Sequence, residues 1–269
     1  MRVLVLCGGI GTRMKEETEF KPKPMVPIGE RPILWHIMKH YAHFGHQEFV
    51  LALGYRGEMI KEYFLNYEYM QHDITLYLGP RRKDVRIHDD APLDQEWTVT
   101  LSDTGQKALK GARIKRCQHY LQHGCDDDTF LMTYGDGVAN VDLDDLIAFH
   151  RSHGKLMTVT GVIPTMRFGE LKTRDDGAVD FSEKAVPGAA KVNGGYYVIS
   201  HKVFDLLTDD DDCDFEIGPM EQIAAEGELM MYHHHGFWHC MDTLRDVEAL
   251  NQMWEKGEQP WFDYNRART

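Results

Sequence analysis

Apolar residues follow two alternating patterns through the first half of the chain. Short apolar runs bounded by glycine are typical of buried strands, and apolar positions three or four residues apart are typical of helices. The predicted strands span 3–6, 49–53, 97–101, 129–134 and 157–162. The predicted helices span 32–44, 58–67, 110–121 and 143–150. This alternation predicts an α/β fold with a mainly parallel sheet that is flanked by helices.

The second half of the chain has a different pattern. Short strand-like segments separated by turn residues lie at 170–172, 179–182, 195–199 and 230–233. We therefore expect a smaller β-rich region with a mixed sheet. Neither an internal repeat nor a linker rich in Pro, Gly or Ser is evident, so a single domain over 1–269 is favoured.

Composition excludes several classes of function. The formal net charge is -13, so the basic surface of a polynucleotide-binding protein is missing and no nucleic acid partner is expected. Because no run of 18 apolar residues occurs, neither a transmembrane helix nor a membrane partner is expected. The first apolar stretch is too short for a signal peptide, which favours the cytoplasm. Five cysteines without a Cys-x-x-Cys pair predict neither a disulfide framework nor a zinc ribbon.

A glycine-rich segment follows the first predicted strand. It reads Gly8-Gly9-Ile10-Gly11-Thr12-Arg13 and is followed by Lys21-Pro22-Lys23-Pro24-Met25. Glycines at this place let backbone N–H groups approach an anion, and Arg13 and Lys23 supply cations for phosphate oxygens. The segment lacks the Gly-Lys-Ser/Thr of a P-loop and the third glycine of a dinucleotide fingerprint. We predict a phosphate site, with a purely structural turn as the alternative.

Two aspartates lie beside the ends of predicted elements. Asp136 lies between glycines at the end of a predicted strand, where ligands collect in open α/β sheets. Asp242 follows an aromatic segment and precedes a predicted helix. Carboxylate oxygens are ligands that magnesium prefers. The alternatives are a turn residue for Asp136 and a helix N-cap for Asp242.

Taken together, these motifs resemble the sugar-nucleotide pyrophosphorylases, and more closely their glucose-1-phosphate cytidylyltransferase branch. The glycine segment with Lys23 is similar to the signature of the whole superfamily. The closer resemblance rests on an ordered series of blocks at 16–18, 32–39, 54–57, 60–64, 103–105, 133–138, 167–169, 193–195 and 236–243. Because these blocks extend over nearly the whole chain, the resemblance is specific.

The resemblance implies a Rossmann-like nucleotidyltransferase fold and a reaction. A nucleotidyl group would pass from a nucleoside triphosphate, with CTP favoured, to alpha-D-glucose 1-phosphate, with release of pyrophosphate. Residues up to about 140 would bind the nucleotide, and the remainder would bind the sugar phosphate and form contacts in a homo-oligomer. The alternatives are UTP, dTTP or another sugar 1-phosphate and, in a different class, a non-catalytic subunit that senses a nucleotide sugar.

The resemblance also implies roles for individual residues. Arg13 and Lys23 would be catalytic, on the triphosphate and on the attacked phosphate, while Asp136 and Asp242 would hold Mg2+. The nucleotide-binding positions would be Leu6, Gly8, Gly9, Gly11, Thr12, Arg13, Lys23, Thr104, Arg113 and Gly135. The sugar-phosphate-binding positions would be Gly169, Glu183, Lys184, Asn193, Gly194 and Trp238.

Some of these residues have alternative interpretations. Thr104 has the residue type of a helix N-cap, and Arg113 could be a solvated helix residue. Ala185 follows Glu183 and Lys184 where the superfamily usually has proline. The histidines at 233–235, together with His239 and Cys240, lack regular ligand spacing, so ordinary strand histidines are favoured over a zinc site.

Overall fold

The computed structural model describes residues 1–11, 14, 18–79, 82–88, 96–124, 127–164, 170–173, 179–182 and 190–263. The strands are β1 (Val3–Leu6), β2 (Pro27–Ile28), β3 (Arg31–Pro32), β4 (Glu48–Leu53), β5 (Ile74–Gly79), β6 (Arg82–Ile87), β7 (Thr98–Asp103), β8 (Thr129–Tyr134), β9 (Gly137–Ala139), β10 (Met157–Val162), β11 (Glu170–Thr173), β12 (Val179–Ser182), β13 (Val192–Ser200), β14 (Leu229–His233) and β15 (Trp238–Cys240). The α-helices are α1 (Ile33–His43), α2 (Gly57–Leu65), α3 (Lys110–Arg116), α4 (Gln118–Gln122), α5 (Leu143–His153), α6 (Glu221–Ala225) and α7 (Leu244–Glu255).

A seven-stranded mixed sheet takes strands from both halves of the chain. Its order is β14-β10-β13-β8-β1-β4-β7. The interior strand β1 pairs in parallel with β4 and β8, while β13 is antiparallel to both of its neighbours. The predicted α/β class with a mainly parallel sheet is confirmed. The late strands β13 and β14 extend this central sheet, whereas β11 and β12 pair only with each other among the described strands.

The two faces of the sheet pack against separate apolar cores because side chains alternate along a strand. In β1, Val3 and Val5 face the core that contains apolar residues of α1, α5 and α7. Leu4 and Leu6 face the core that contains apolar residues of α3 and α4. Burying each such side chain contributes on the order of 2 kcal/mol, so both layers hold β1 in place.

Two local features differ from the sequence prediction. The helix predicted over 110–121 is divided at Cys117, whose amide is shared between the carbonyls of Arg113 and Ile114. The hairpin of β5 and β6 was not predicted, because its exposed faces lack the apolar–polar alternation of a half-buried strand. No helix among the described residues combines the length and the apolar character that a bilayer crossing requires.

Candidate active site

A cleft of about 960 Å³ opens at the carboxyl ends of β1 and β8, where open α/β sheets collect ligands. Its volume falls within the range that ligand sites occupy. Many residues that the sequence singled out line this cleft: Leu6, Gly8, Gly9, Gly11, Lys23, Arg113, Gly135, Asp136, Asn193, Gly194, Trp238 and Asp242. The predicted nucleotide side, metal pair and sugar side therefore share one cavity.

Lys23 lies between the two predicted metal-binding aspartates. Its Nζ donates to Asp136 Oδ2 at 2.7 Å and to Asp242 Oδ1 at 2.6 Å. The Lys23 side chain is 12% exposed, against 28% and 26% for the two aspartates. Burial disfavours the ammonium, but the charge of Asp136 and the hydrogen bonds that Lys23 donates to both carboxylates outweigh it and raise the pKa of Lys23 to about 12.

The local chain explains how Lys23 reaches Asp136. Lys23 begins a short 3-10 turn, Lys23–Met25, between Pro22 and Pro24, and the prolines restrict its backbone. Gly135 lets this turn approach the end of β8, because a Cβ there would lie 2.9 Å from Pro24 Cγ. A larger residue at 135 would therefore push Lys23 away from Asp136.

Strand pairing brings Asp242 to the same place. β15 pairs antiparallel with β9, and the amide of Met241 donates to the carbonyl of Asp136 at 2.8 Å. The helix N-cap interpretation of Asp242 is wrong, because Thr243 caps α7 in a capping box with Asp246. The amide of Asp242 also donates to Asp246, which holds the backbone of the metal candidate.

The donor atoms at this position fit a divalent cation. Asp136, Asp242 and Cys240 each offer one ligand atom, and these atoms lie within 4.8 Å of one another in the part of the chain that is described. The position already holds the Lys23 ammonium between the carboxylates, so its field accommodates positive charge. Burial and then the charge of Asp136 raise the pKa of the Cys240 thiol, which keeps it neutral.

Arg113 and Thr104 form a buried pair behind the glycine segment. The Arg113 guanidinium donates to the carbonyls of Leu53, Gly8 and Gly105 and to Thr104 Oγ1, at 2.8 to 3.0 Å. The solvated-helix interpretation of Arg113 is wrong, since the residue is only 4% exposed. Thr104 is fully buried, and it caps no helix because Leu109 precedes α3.

The close packing of Arg113 accounts for Gly8. A Cβ at this position would lie 2.1 Å from Arg113 Nη1. Burial lowers the pKa of Arg113 below its ordinary value. Because the ordinary pKa of a guanidinium is so high, the side chain still stays charged near neutral pH. Four of its contacts are with carbonyl oxygens, those of Leu53, Gly105, Gly8 and Gln106, and such acceptors are suited to a buried cation. Arg113 thus holds together the end of β4, the residues that follow β7 and the glycine segment.

Another wall of the cleft is a hydrogen-bonded network. Asn193 Oδ1 accepts from the amide of Gly195 at 2.9 Å, and its Nδ2 donates to Tyr197 Oη. The hydroxyls of Tyr197 and Tyr134 are 2.9 Å apart. Tyr134 Oη also donates to Glu216 at 2.5 Å. Burial raises the pKa of the Tyr134 hydroxyl, so the hydroxyl stays protonated and can donate this hydrogen bond.

Two further contacts complete this wall. Lys110 forms an ion pair with Glu216, and Trp238 Nε1 donates to the carbonyl of Gly194 at 2.8 Å. Sequence reasoning gave no role to Tyr134, Glu216 or Lys110. Tyr134 stands inside the block at 133–138, which was the one available signal. Glu216 offered none, because it lies at the start of an irregular segment, Glu216–Met220, whose backbone is non-helical at Ile217 and Gly218.

Several predicted site residues lie outside the described part of the chain. These are Thr12, Arg13, Gly169, Glu183 and Lys184, with Ala185 beside them. Among the histidines considered for zinc, His234 Nε2 contacts the carbonyl of Phe237 at 3.0 Å. His239 pairs with Asp246 at 3.4 Å. These contacts agree with ordinary structural histidines.

The sequence and the fold were compared with known proteins. The family model described as "Nucleotidyl transferase" matches residues 2–255. A glucose-1-phosphate cytidylyltransferase of Salmonella typhimurium is 46% identical over 261 residues, covering 97% of this chain and 98% of the relative. A probable glucose-1-phosphate cytidylyltransferase of Bacillus subtilis is 44% identical over 263 residues, covering 97% and 99%.

A solved structure supports the fold independently. The crystal structure of HddC from Yersinia pseudotuberculosis matches with a TM-score of 0.64, covering 94% of this chain and 99% of that one. Since its sequence is only 21% identical, this likeness speaks for the fold alone.

Proposed function

The chain belongs to the nucleotidyl transferase family, and we propose that it transfers a cytidylyl group from CTP to alpha-D-glucose 1-phosphate. The products are CDP-glucose and pyrophosphate. The observation that carries the proposal is the convergence of Lys23, Asp136 and Asp242 in the cleft beside the glycine segment. The choice of CTP and glucose 1-phosphate rests on the names of relatives that are 44% to 46% identical over nearly the full length.

The reaction is an in-line substitution at phosphorus. An oxygen of the sugar phosphate forms a bond to the α-phosphorus of CTP. The bond between this phosphorus and the oxygen bridging to the β-phosphate breaks, and pyrophosphate leaves with its electron pair. Because the attacking oxygen is already anionic, no side chain needs to remove a proton. The catalytic contribution of the chain is therefore positioning and stabilisation of charge.

Lys23 and Arg13 carry the positive charge in this proposal. Lys23 contacts the phosphate under attack, and its raised pKa keeps the ammonium charged at neutral pH. Arg13 contacts the triphosphate. Asp136 and Asp242 hold Mg2+, which when bound neutralises phosphate oxygens as a Lewis acid. The ligand atoms of Asp136 and Asp242 lie within 4.8 Å of each other, which supports this role.

The proposed contacts with the nucleotide and with the sugar phosphate come from two different sets of residues. Leu6, Gly8, Gly9, Gly11, Thr12, Thr104, Arg113 and Gly135 serve the nucleotide, with Thr104 and Arg113 acting by holding the glycine segment. Gly169, Glu183, Lys184, Asn193, Gly194 and Trp238 serve the sugar phosphate. The hydrogen bond from Trp238 to Gly194 supports this grouping, since it joins two of these residues in one wall.

A substrate matrix tests this proposal. Pyrophosphate release is measured for CTP, UTP, dTTP, ATP and GTP, each with several sugar 1-phosphates in the presence of Mg2+. The expected result is a kcat/KM for CTP with glucose 1-phosphate at least tenfold above every other pair. A preference for UTP or dTTP would overturn the substrate assignment. Tight binding of CDP-glucose without turnover would instead favour the non-catalytic sensing subunit.

We further propose that 1–269 form one domain and that the chain forms a homo-oligomer. The sheet that takes strands from both halves supports the first proposal. The β5–β6 hairpin supports the second, because Leu76 and Leu78 on it are 52% and 82% exposed and isolated hairpins are marginally stable. A second copy of the chain would cover this surface. Light scattering should give a multiple of 31.1 kDa, and a monomer would refute the oligomer.

A further inference from the structure

We propose that Lys23 excludes a free divalent cation from the Asp136–Asp242 site and so selects for a cation that arrives bound to the triphosphate. This inference rests on the proposed function, because it takes the two aspartates as the metal ligands. It adds a second role for Lys23, as a residue that determines in which form the metal enters.

The geometry leaves little room for two cations at this site. Lys23 Nζ lies 2.7 Å from Asp136 Oδ2 and 2.6 Å from Asp242 Oδ1, so it already contacts both carboxylates. A magnesium ion takes carboxylate oxygens at about 2.1 Å. A metal on either of these oxygens would therefore lie within about 5 Å of the ammonium.

Electrostatic repulsion at that distance is large enough to control binding. Even with the screening of bulk water, a charge of +2 and a charge of +1 about 5 Å apart repel enough to weaken binding roughly tenfold. The actual screening is weaker, because the Lys23 side chain is only 12% exposed. Because Lys23 Nζ contacts both carboxylates, the repulsion persists unless the lysine side chain moves.

The backbone around Lys23 limits how it can respond. Pro22 and Pro24 flank the residue, and Pro24 packs against Gly135 at the end of β8. The turn therefore stays in place, and only the flexible side chain can turn away from the carboxylates. A triphosphate supplies the anionic oxygens towards which the ammonium can turn. Metal entry and contact of Lys23 with the phosphate are thereby coupled.

The test is the binding of Mn2+ alone, measured by the electron paramagnetic resonance of the free ion without nucleotide or sugar. We expect Lys23→Met and Lys23→Gln to bind Mn2+ at least tenfold more tightly than the wild type. The Gln variant guards against misfolding, since its amide can still donate to one aspartate. Lys23→Arg keeps the charge and should bind Mn2+ as weakly as the wild type.

Two matched variants locate the effect. Lys110→Met removes another cation from the lining of the same cleft and should leave Mn2+ affinity unchanged. Asp242→Asn in the Lys23→Gln background should abolish the gain in affinity. Circular dichroism and thermal unfolding establish that each variant is folded.

The outcomes separate this inference from the proposed function. If Mn2+ binds through Asp242 but no more tightly in the two neutral Lys23 variants than in the wild type, the inference is overturned and the metal site stands. If Asp242→Asn changes Mn2+ binding in no background, the metal assignment itself fails, and the inference fails with it. A tenfold gain in the neutral variants alone, lost with Asp242→Asn, supports both.

Discussion

Two lysine–carboxylate clusters contribute side chains to the lining of the cleft, and their lysines differ in burial. On one wall, Lys23 is 12% exposed and touches Asp136 and Asp242 at 2.7 and 2.6 Å. On the other, Lys110 is 39% exposed; it pairs with Glu216 and lies 3.9 Å from Asp214. The residue types are nearly the same, so the difference lies in the surrounding structure.

Because of this difference in burial, charge dominates the interactions of the Lys23 cluster, whereas hydrogen bonding dominates those of the Lys110 cluster. Around Lys23, proline-restricted backbone and low exposure keep the charges close and weakly screened. Around Lys110, water screens the ion pair, and the better-defined interaction is the hydrogen bond from Tyr134 to Glu216. We therefore expect changes on the Lys23 wall to affect turnover and changes on the Lys110 wall to affect substrate binding.

The largest effect is expected when a carboxylate of the Lys23 cluster loses its charge. Asp242→Asn should lower kcat by about 10²- to 10³-fold, because it removes a preorganised charge contact from the reacting phosphates. Pyrophosphate release at saturating substrates measures this loss. Asp214→Asn, in the other cluster, serves as the control and should retain kcat within about fivefold. Equal losses in the two variants would erase the distinction between the walls.

A second prediction concerns stability at alkaline pH. The pKa of Lys23 is about 12 in the folded chain, above its ordinary value of 10.5. Its contribution to stability is thus complete below pH 10.5 and is lost as the pH rises through 12, a change of about 2 kcal/mol. The difference in unfolding free energy between wild type and Lys23→Met, from urea titrations, should shrink by that amount. A difference independent of pH over this range would contradict the paired ammonium.

A smaller effect is expected from the hydrogen-bonded wall. Tyr134→Phe removes a hydroxyl that contacts both Tyr197 and Glu216. The loss should cost about 1 kcal/mol, and so raise the KM for the sugar phosphate about fivefold with little change in kcat. The exposed Tyr120, changed to Phe, should leave both constants unchanged. A fall in kcat without a change in KM would assign Tyr134 to the chemical step instead.

The smallest effect is expected at Lys110. Lys110→Met removes a partly exposed ion pair with Glu216, and such pairs contribute about 0 to 1 kcal/mol. We expect kcat/KM to change by less than about threefold. The change should be smaller still in 0.5 M salt, because exposed charges are largely screened at roughly that ionic strength. A tenfold loss that persists in high salt would place Lys110 among the residues that bind substrate.

Much of the fold could be predicted because many strands are short apolar runs with sharp ends. The bounds predicted for β1, β8 and β10 agree with those observed, and β8, for example, lies between Asp128 and Gly135. The β5–β6 hairpin escaped prediction, because Leu76, Tyr77 and Leu78 are successive exposed apolar residues with no alternation. The predicted family is also confirmed, since the resemblance rested on motifs spread along the whole chain.

The sequence by itself determined the chemical inventory of this protein: a glycine segment after a buried strand, a lysine between prolines, and two aspartates next to the ends of predicted elements. Tertiary structure alone decided that Lys23 contacts both Asp136 and Asp242, which follow it by 113 and 219 positions in the sequence. The pairings of β1 with β8 and of β9 with β15 bring these residues together. It also buried Arg113 and delivered Glu216 to the cleft. These outcomes depend on packing between segments that are distant in the sequence, and the residue pattern within any one segment does not show that packing.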